Sequence, residues 1–165
     1  MKQEGNINKI DGKIVQADSI DYDVTFTGDN NNLAVDHGDG ASVAGSKLVV
    51  SVAGDSNNLT LTQGSTSSST NADQEISVTG DGNNYTSTIN ADDVKNRMTI
   101  AGDNNTKTVV QNGFAGKEVT STVTGNGNTI TVNQTSTLNV DKLNITHTGN
   151  NNTVAISQCN AGGTC

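Results

Sequence analysis

Asp29, Asp55, Asp81 and Asp103 each stand one residue after a glycine. Brought into one column, their carboxylates would repel one another, and a Ca²⁺ ion could relieve that repulsion. The same position continues as Asn126 and Asn150, however, and no nonapeptide calcium repeat is present. A turn residue that hydrogen-bonds backbone amides explains the aspartates without a metal. His37 and His147 fall at different positions of the pattern, and a metal site would need further ligands. Cys159 and Cys165 are the only cysteines. They either close a local disulfide that pins the end of the chain or remain two thiols. There is no Ser/His/Asp order in a nucleophile-elbow context, no Cys/His pairing, no phosphate loop and no acid pair. The reading is therefore not an enzyme, with no catalytic residue, cofactor or metal.

The remaining chemistry is that of side-chain amides. Asn31, Asn57, Asn83, Asn105, Asn128 and Asn152 each follow a glycine by three residues: Gly28, Gly54, Gly80, Gly102, Gly125 and Gly149. Gln63, Gln111, Gln134 and Gln158 follow four of these glycines by nine. By subtraction, successive glycines are 26, 26, 22, 23 and 24 residues apart. A period in this range marks a stack of repeating units. Amides placed one above another can hydrogen-bond from unit to unit, which satisfies polar groups that would be costly to bury alone.

The elements that would position these amides follow from the flanking residues. Five and seven after each glycine stand mostly apolar residues, such as Leu59 and Leu61 or Ile130 and Val132. Two and four before it stand pairs such as Val52 and Val50 or Ile100 and Met98. These are period-2 patterns, so each repeat reads as strand, tight turn, strand and polar connector. Inward positions are minus six, minus four and minus two on one side, and plus three, five, seven and nine on the other. The fold class is all-β: a β-solenoid of about six to seven stacked strand-turn-strand rungs, paired in parallel and in register. Six rungs at strand spacing would make a stack roughly 30 Å tall.

Residues 1–20 read as an irregular N-terminal rung, with a strand from Asn6 to Ile10, a turn at Asp11-Gly12 and a strand from Lys13 to Gln16. Residues 21–158 form the repeat solenoid, and 159–165 are a C-terminal tail carrying both cysteines. The connectors are His37–Ser46, Gly64–Asp73, Ala91–Asn96, Asn112–Lys117 and Thr135–Asp141. The serine- and threonine-rich second one is expected to be flexible.

The segment Leu143-Asn144-Ile145-Thr146-His147-Thr148-Gly149, followed by Asn152 and Gln158, resembles a curlin repeat, the unit of bacterial curli fibres. The Gly-x-x-Asn-x5-Gln half of that repeat occurs at Gly54, Gly102, Gly125 and Gly149. The family's first Gln falls where Phe26, Val52, Val78, Ile100, Val123 and His147 stand, and its Ser is matched only by Ser46. The resemblance spans roughly residues 20–158. It implies a subunit that polymerises with itself, head to tail, into an extracellular or cell-surface fibre of amyloid type, served by a nucleator or export factor.

Composition agrees with a thin-cored stack. Of 165 residues, 31% are hydrophobic and 2% aromatic, too few for an ordinary globular core, and proline is absent. A net charge of −8 without a basic patch disfavours nucleic acid. No apolar run reaches membrane-spanning length, so membrane insertion is not expected, and no secretory signal is visible. The ends carry no helix or proline to cap them, which favours an open filament. A second reading rests on the outward threonines Thr60, Thr86, Thr108 and Thr131, flanked by Thr62 and Thr88. These suit a soluble or phage-type binding module whose flat face contacts ice or glycan, although threonine is also a favoured solvent-facing strand residue.

Overall fold

The structure, a computed structural model, describes residues 4–13, 20–25, 27–36, 43–63, 69–70, 73–91, 94–113, 116–136 and 141–159. The strands in chain order are β1 (Lys9–Lys13), β2 (Ile20–Thr25), β3 (Asn32–Asp36), β4 (Val43–Ala44), β5 (Ser46–Val52), β6 (Asn58–Gln63), β7 (Ser69–Thr70) and β8 (Asp73–Thr79). They continue as β9 (Asn84–Ala91), β10 (Lys95–Ala101), β11 (Thr106–Gly113), β12 (Lys117–Thr124), β13 (Thr129–Ser136), β14 (Asp141–Thr148) and β15 (Thr153–Cys159).

Period-2 patterning drives these segments into two facing parallel sheets. One has seven strands in the order β1-β3-β6-β9-β11-β13-β15; the other has six in the order β14-β12-β10-β8-β5-β2. Every pairing sets a residue on its repeat-mate, as in Val50↔Ile76 and Lys107↔Ile130. The chain is thus a β-solenoid. The two longest repeats each lend a short strand to a third sheet, β4 with β7, which accounts for their spacing of 26.

The space between the sheets holds the expected columns. Leu48, Val50 and Val52 face Leu59 and Leu61 in one rung, and Ile76 and Val78 face Tyr85 in the next. All are fully or almost fully buried. Like stacks on like about 4.8 Å apart, so a narrow core suffices.

Two readings of local structure need correction. Asp11 and Gly12 do not form a turn: β1 runs straight through them, paired with β3 from Lys9↔Asn32 to Lys13↔Asp36. The turn lies earlier, at Gly5-Asn6-Ile7, and its backbone follows the later turns. Asp-Gly is a hairpin signal, but the pairing of β1 with its repeat-mate prevails over it. The connectors are also shorter than expected. Asp73, Ala91, Lys95, Asn96, Asn112, Gly113, Lys117, Thr135, Ser136 and Asp141 all belong to strands. Within the 64–73 connector, Ser69–Thr70 is a strand too, while 64–68 and 71–72 lie outside the described residues.

Candidate functional site

The turn builds the site. Its first residue is a glycine because of the next rung: a Cβ on Gly54 would collide with the carbonyl oxygen of Gly80. Its third residue is left-handed in all seven described turns, at Ile7, Asn30, Ser56, Gly82, Asn104, Gly127 and Asn151. Asparagine and glycine tolerate that conformation at low cost.

This backbone aims the asparagine side chains along the stacking axis. The backbone N–H of Asn57 donates to Asn31 Oδ1 at 2.9 Å, and the same contact links Asn83 to Asn57, Asn105 to Asn83 and Asn128 to Asn105. Nδ2 reaches the other way: Asn57 donates to the Gly80 carbonyl at 2.8 Å, and Asn128 to that of Gly149 at 2.7 Å. Each amide therefore ties three consecutive rungs, which is why Asn31, Asn57, Asn83, Asn105 and Asn128 are buried without penalty. Asn152 closes the series, its N–H donating to Asn128 Oδ1, but it is exposed.

The ladder has a seventh member that the repeat reading missed. Asn8 Oδ1 accepts the N–H of Asn31 at 2.8 Å, and Asn8 Nδ2 donates to the Gly28 carbonyl. The signal was present: Gly5 and Asn8 have the repeat spacing, and Gly5 precedes Gly28 by 23 residues. The glutamine ladder is shorter than expected. Gln111 donates to Gln134 and Gln134 to Gln158, both at 2.9 Å. Gln63 registers with Ile89, which cannot continue the ladder, and the Gln63 side chain lies outside the described set.

The aspartate column acts from rung to rung. The N–H of Asp29 donates to Asp55 Oδ1, that of Asp55 to Asp81 and that of Asp81 to Asp103. Asn6 begins this column by donating to Asp29, and Asp103 and Asn126 continue it onto Asn126 and Asn150. Among the described residues no group of three or more His, Cys, Asp or Glu could hold a metal ion. His147 sits half-buried with Nε2 3.1 Å from Asn128 Oδ1. His37 lies outside the described residues. Cys159 is disulfide-bonded, and Cys165, the other half of the expected pair, lies outside the described residues.

A second register device also escaped the repeat reading. On the outer face of the six-stranded sheet, one column runs Asp21, Lys47, Asp73, Lys95, Glu118, Lys142, acid and base in strict alternation. Lys142 bridges Glu118 at 3.5 Å. Any slip by one rung would set like charge on like.

The core itself holds polar side chains. Asn96 Nδ2 donates to Tyr85 Oη at 2.7 Å and to Ser87 Oγ at 3.0 Å. Burial pushes the Tyr85 hydroxyl up to about 12. Burial pushes the Lys107 ammonium down to about 7. Lys107 Nζ and Ser121 Oγ find no partner among the described residues.

No family model, no curated protein and no solved structure matches this chain. Among the described residues no helix is long and apolar enough to cross a membrane.

Proposed function

We propose that the chain is a structural subunit that stacks end to end, through itself, into an extracellular amyloid-like fibre of the curli type, in a biofilm matrix or on a cell surface. The observation that carries this is the state of the last rung. Asn152 is exposed and Val154 and Ile156 are half-buried, whereas Asn128, Ile130 and Val132, one rung below in the same columns, are 0–1% exposed. Among the described residues this rung is built like an interior one, with no further rung stacked on it. An exposed parallel edge of this kind is a template for another chain. A nucleator or export factor would act on the same end. Electron microscopy and fibre diffraction of the purified chain test the reading: unbranched filaments with a 4.7–4.8 Å axial reflection support it, and a lasting monomer at high concentration sinks it.

One observation favours a second reading. Thr60, Thr86, Thr108 and Thr131 are in direct register on the outer face of the seven-stranded sheet. A soluble or phage-type module could present that flat face to ice or glycan. The neighbouring column changes from Thr62 and Thr88 to Val110, Asn133 and Ser157, which breaks the lattice. Ice recrystallisation or glycan binding by a monomeric chain would move the weight to this reading.

A further inference from the structure

The fibre reading leaves the joint between copies undefined. We propose that β15 of one copy pairs in parallel with β1 of the next, so that Ala155 donates its N–H to the Ile10 carbonyl and Asn150 donates its N–H to Asn6 Oδ1. The partner is a second copy of this chain, and the inference rests on the fibre reading above.

The ladders inside the chain dictate these contacts. β15 and β1 are the two edge strands of the seven-stranded sheet. In that sheet the N–H four residues after each turn glycine donates to the carbonyl three after the next: Asn32 to Asn57, Asn58 to Asn83, Thr106 to Asn128 and Thr129 to Asn152. Alternate residues of a strand point their backbone groups to the same side. Thr153, Ala155 and Ser157 therefore aim their N–H groups away from β13. Continued by one rung, the pattern sets Ala155 against Ile10 and Ser157 against Gly12.

The turn column points to the same joint. Along the chain the N–H of each residue after the turn glycine donates to the side-chain oxygen of the next, from Asn6 through Asp29 to Asn150. Asn126 is the last of these donors and Asn150 the last acceptor, so the N–H of Asn150 is the next donor in the series. Asn6, the first residue of the series, has an exposed side chain, and its own N–H and C=O already serve the chain, through Asp29 and Asn30. Both ends of the column are neutral asparagines, whereas four of its inner members are carboxylates, so the joint adds no like-charge contact. Asn152 Nδ2 would meet the Gly5 carbonyl as Asn128 Nδ2 meets that of Gly149. Half-buried Val154 would cover half-buried Ile10.

Two variants test the joint from its two sides. Ala155→Pro removes an N–H that no described strand of the same copy uses, at an edge where proline is tolerated. Far-ultraviolet circular dichroism first checks that it folds as wild type. Alone it should grow no filaments, and at about one part in ten it should shorten wild-type filaments several-fold by stopping growth at one end. Asn6→Ala, which spares every hydrogen bond of Asn6 among the described residues, should slow elongation roughly tenfold, for loss of about one hydrogen bond. Asn6→Asp should restore growth in high salt, because Asp fills this acceptor position in the interior rungs. If wild type grows and both Ala155→Pro and Asn6→Ala grow at its rate, the joint is wrong while the fibre reading stands. If wild type never assembles, both fall together.

Discussion

Lys107 stacks directly on Tyr85 in a buried column of the seven-stranded sheet. Both side chains are fully buried, and burial moves their titration in opposite directions, Lys107 down to about 7 and Tyr85 up to about 12. Stability should therefore peak between these values. The unfolded lysine holds its proton up to about 10.5, the folded one only to about 7. Between those pH values the unfolded chain binds more protons, so stability rises with pH. It is lost as pH falls toward 7, with a limit on the order of 5 kcal/mol. Tyrosine has the reverse sign: its contribution is intact below about 10 and is lost as pH rises toward 12. Denaturant midpoints from pH 6 to 11 should rise and then fall. Lys107→Met should remove the rising limb and raise stability at pH 7 by a few kcal/mol. An unchanged rising limb in Lys107→Met would reject this account.

The position of a substitution along the asparagine ladder should decide its effect. Asn105→Ala strands the N–H of Asn128 and the carbonyl of Gly125, and removes the amide's contacts with Asn83 Oδ1 and Asn128 Nδ2. Leaving buried groups unsatisfied and opening a cavity should cost about 3–5 kcal/mol in urea unfolding. Asn152→Ala touches the same ladder at its exposed end, and should cost no more than about 1 kcal/mol. Equal losses at the two positions would mean that the ladder is not what stabilises the stack.

The repeat glycines, the asparagines and the inward columns were legible because a stack forces one residue type onto itself. Asn8 and the alternating charge column were not. Around Gly5 the apolar partners that mark other repeats are thin, with Ile10 followed by Gly12, so the local Asp-Gly hairpin cue took precedence. The charges of Asp21, Lys47, Asp73, Lys95, Glu118 and Lys142 look unordered along the chain, because each is separated from the next by a full repeat. Their alternation exists only across rungs and needs the register in hand. The buried Lys107 could not be inferred from its column, where the other members are Leu33, Leu59, Tyr85, Ile130 and Val154.

The aspartate column should be a mild liability that the hydrogen bonds offset. Asp55 and Asp81 accept backbone N–H groups, and asparagine does the same at Asn126 and Asn150. Asp55→Asn with Asp81→Asn keeps the acceptors and removes two stacked charges. Stability at low salt should rise by about 0.5–1 kcal/mol. The gain should vanish near 1 M salt, where the screening length is about 3 Å. A gain that survives high salt would mean that charge repulsion is not its source.

Ile7 holds the least suitable side chain for its backbone. Its φ is 57°, the left-handed region, and it is 82% exposed. The equivalent positions elsewhere are Asn30, Ser56, Gly82, Asn104, Gly127 and Asn151. A β-branched residue there strains the turn, and so little of Ile7 is buried that packing cannot repay it. Ile7→Asn should stabilise the first rung by about 1 kcal/mol. Hydrogen exchange at Asn31 reads this locally, because the Asn31 N–H is held by Asn8 Oδ1 and is released when the first rung opens. Slower exchange at Asn31 in Ile7→Asn, with Asn128 unchanged, is the expected result. Faster exchange would show that the isoleucine side chain stabilises the rung more than its backbone strains it.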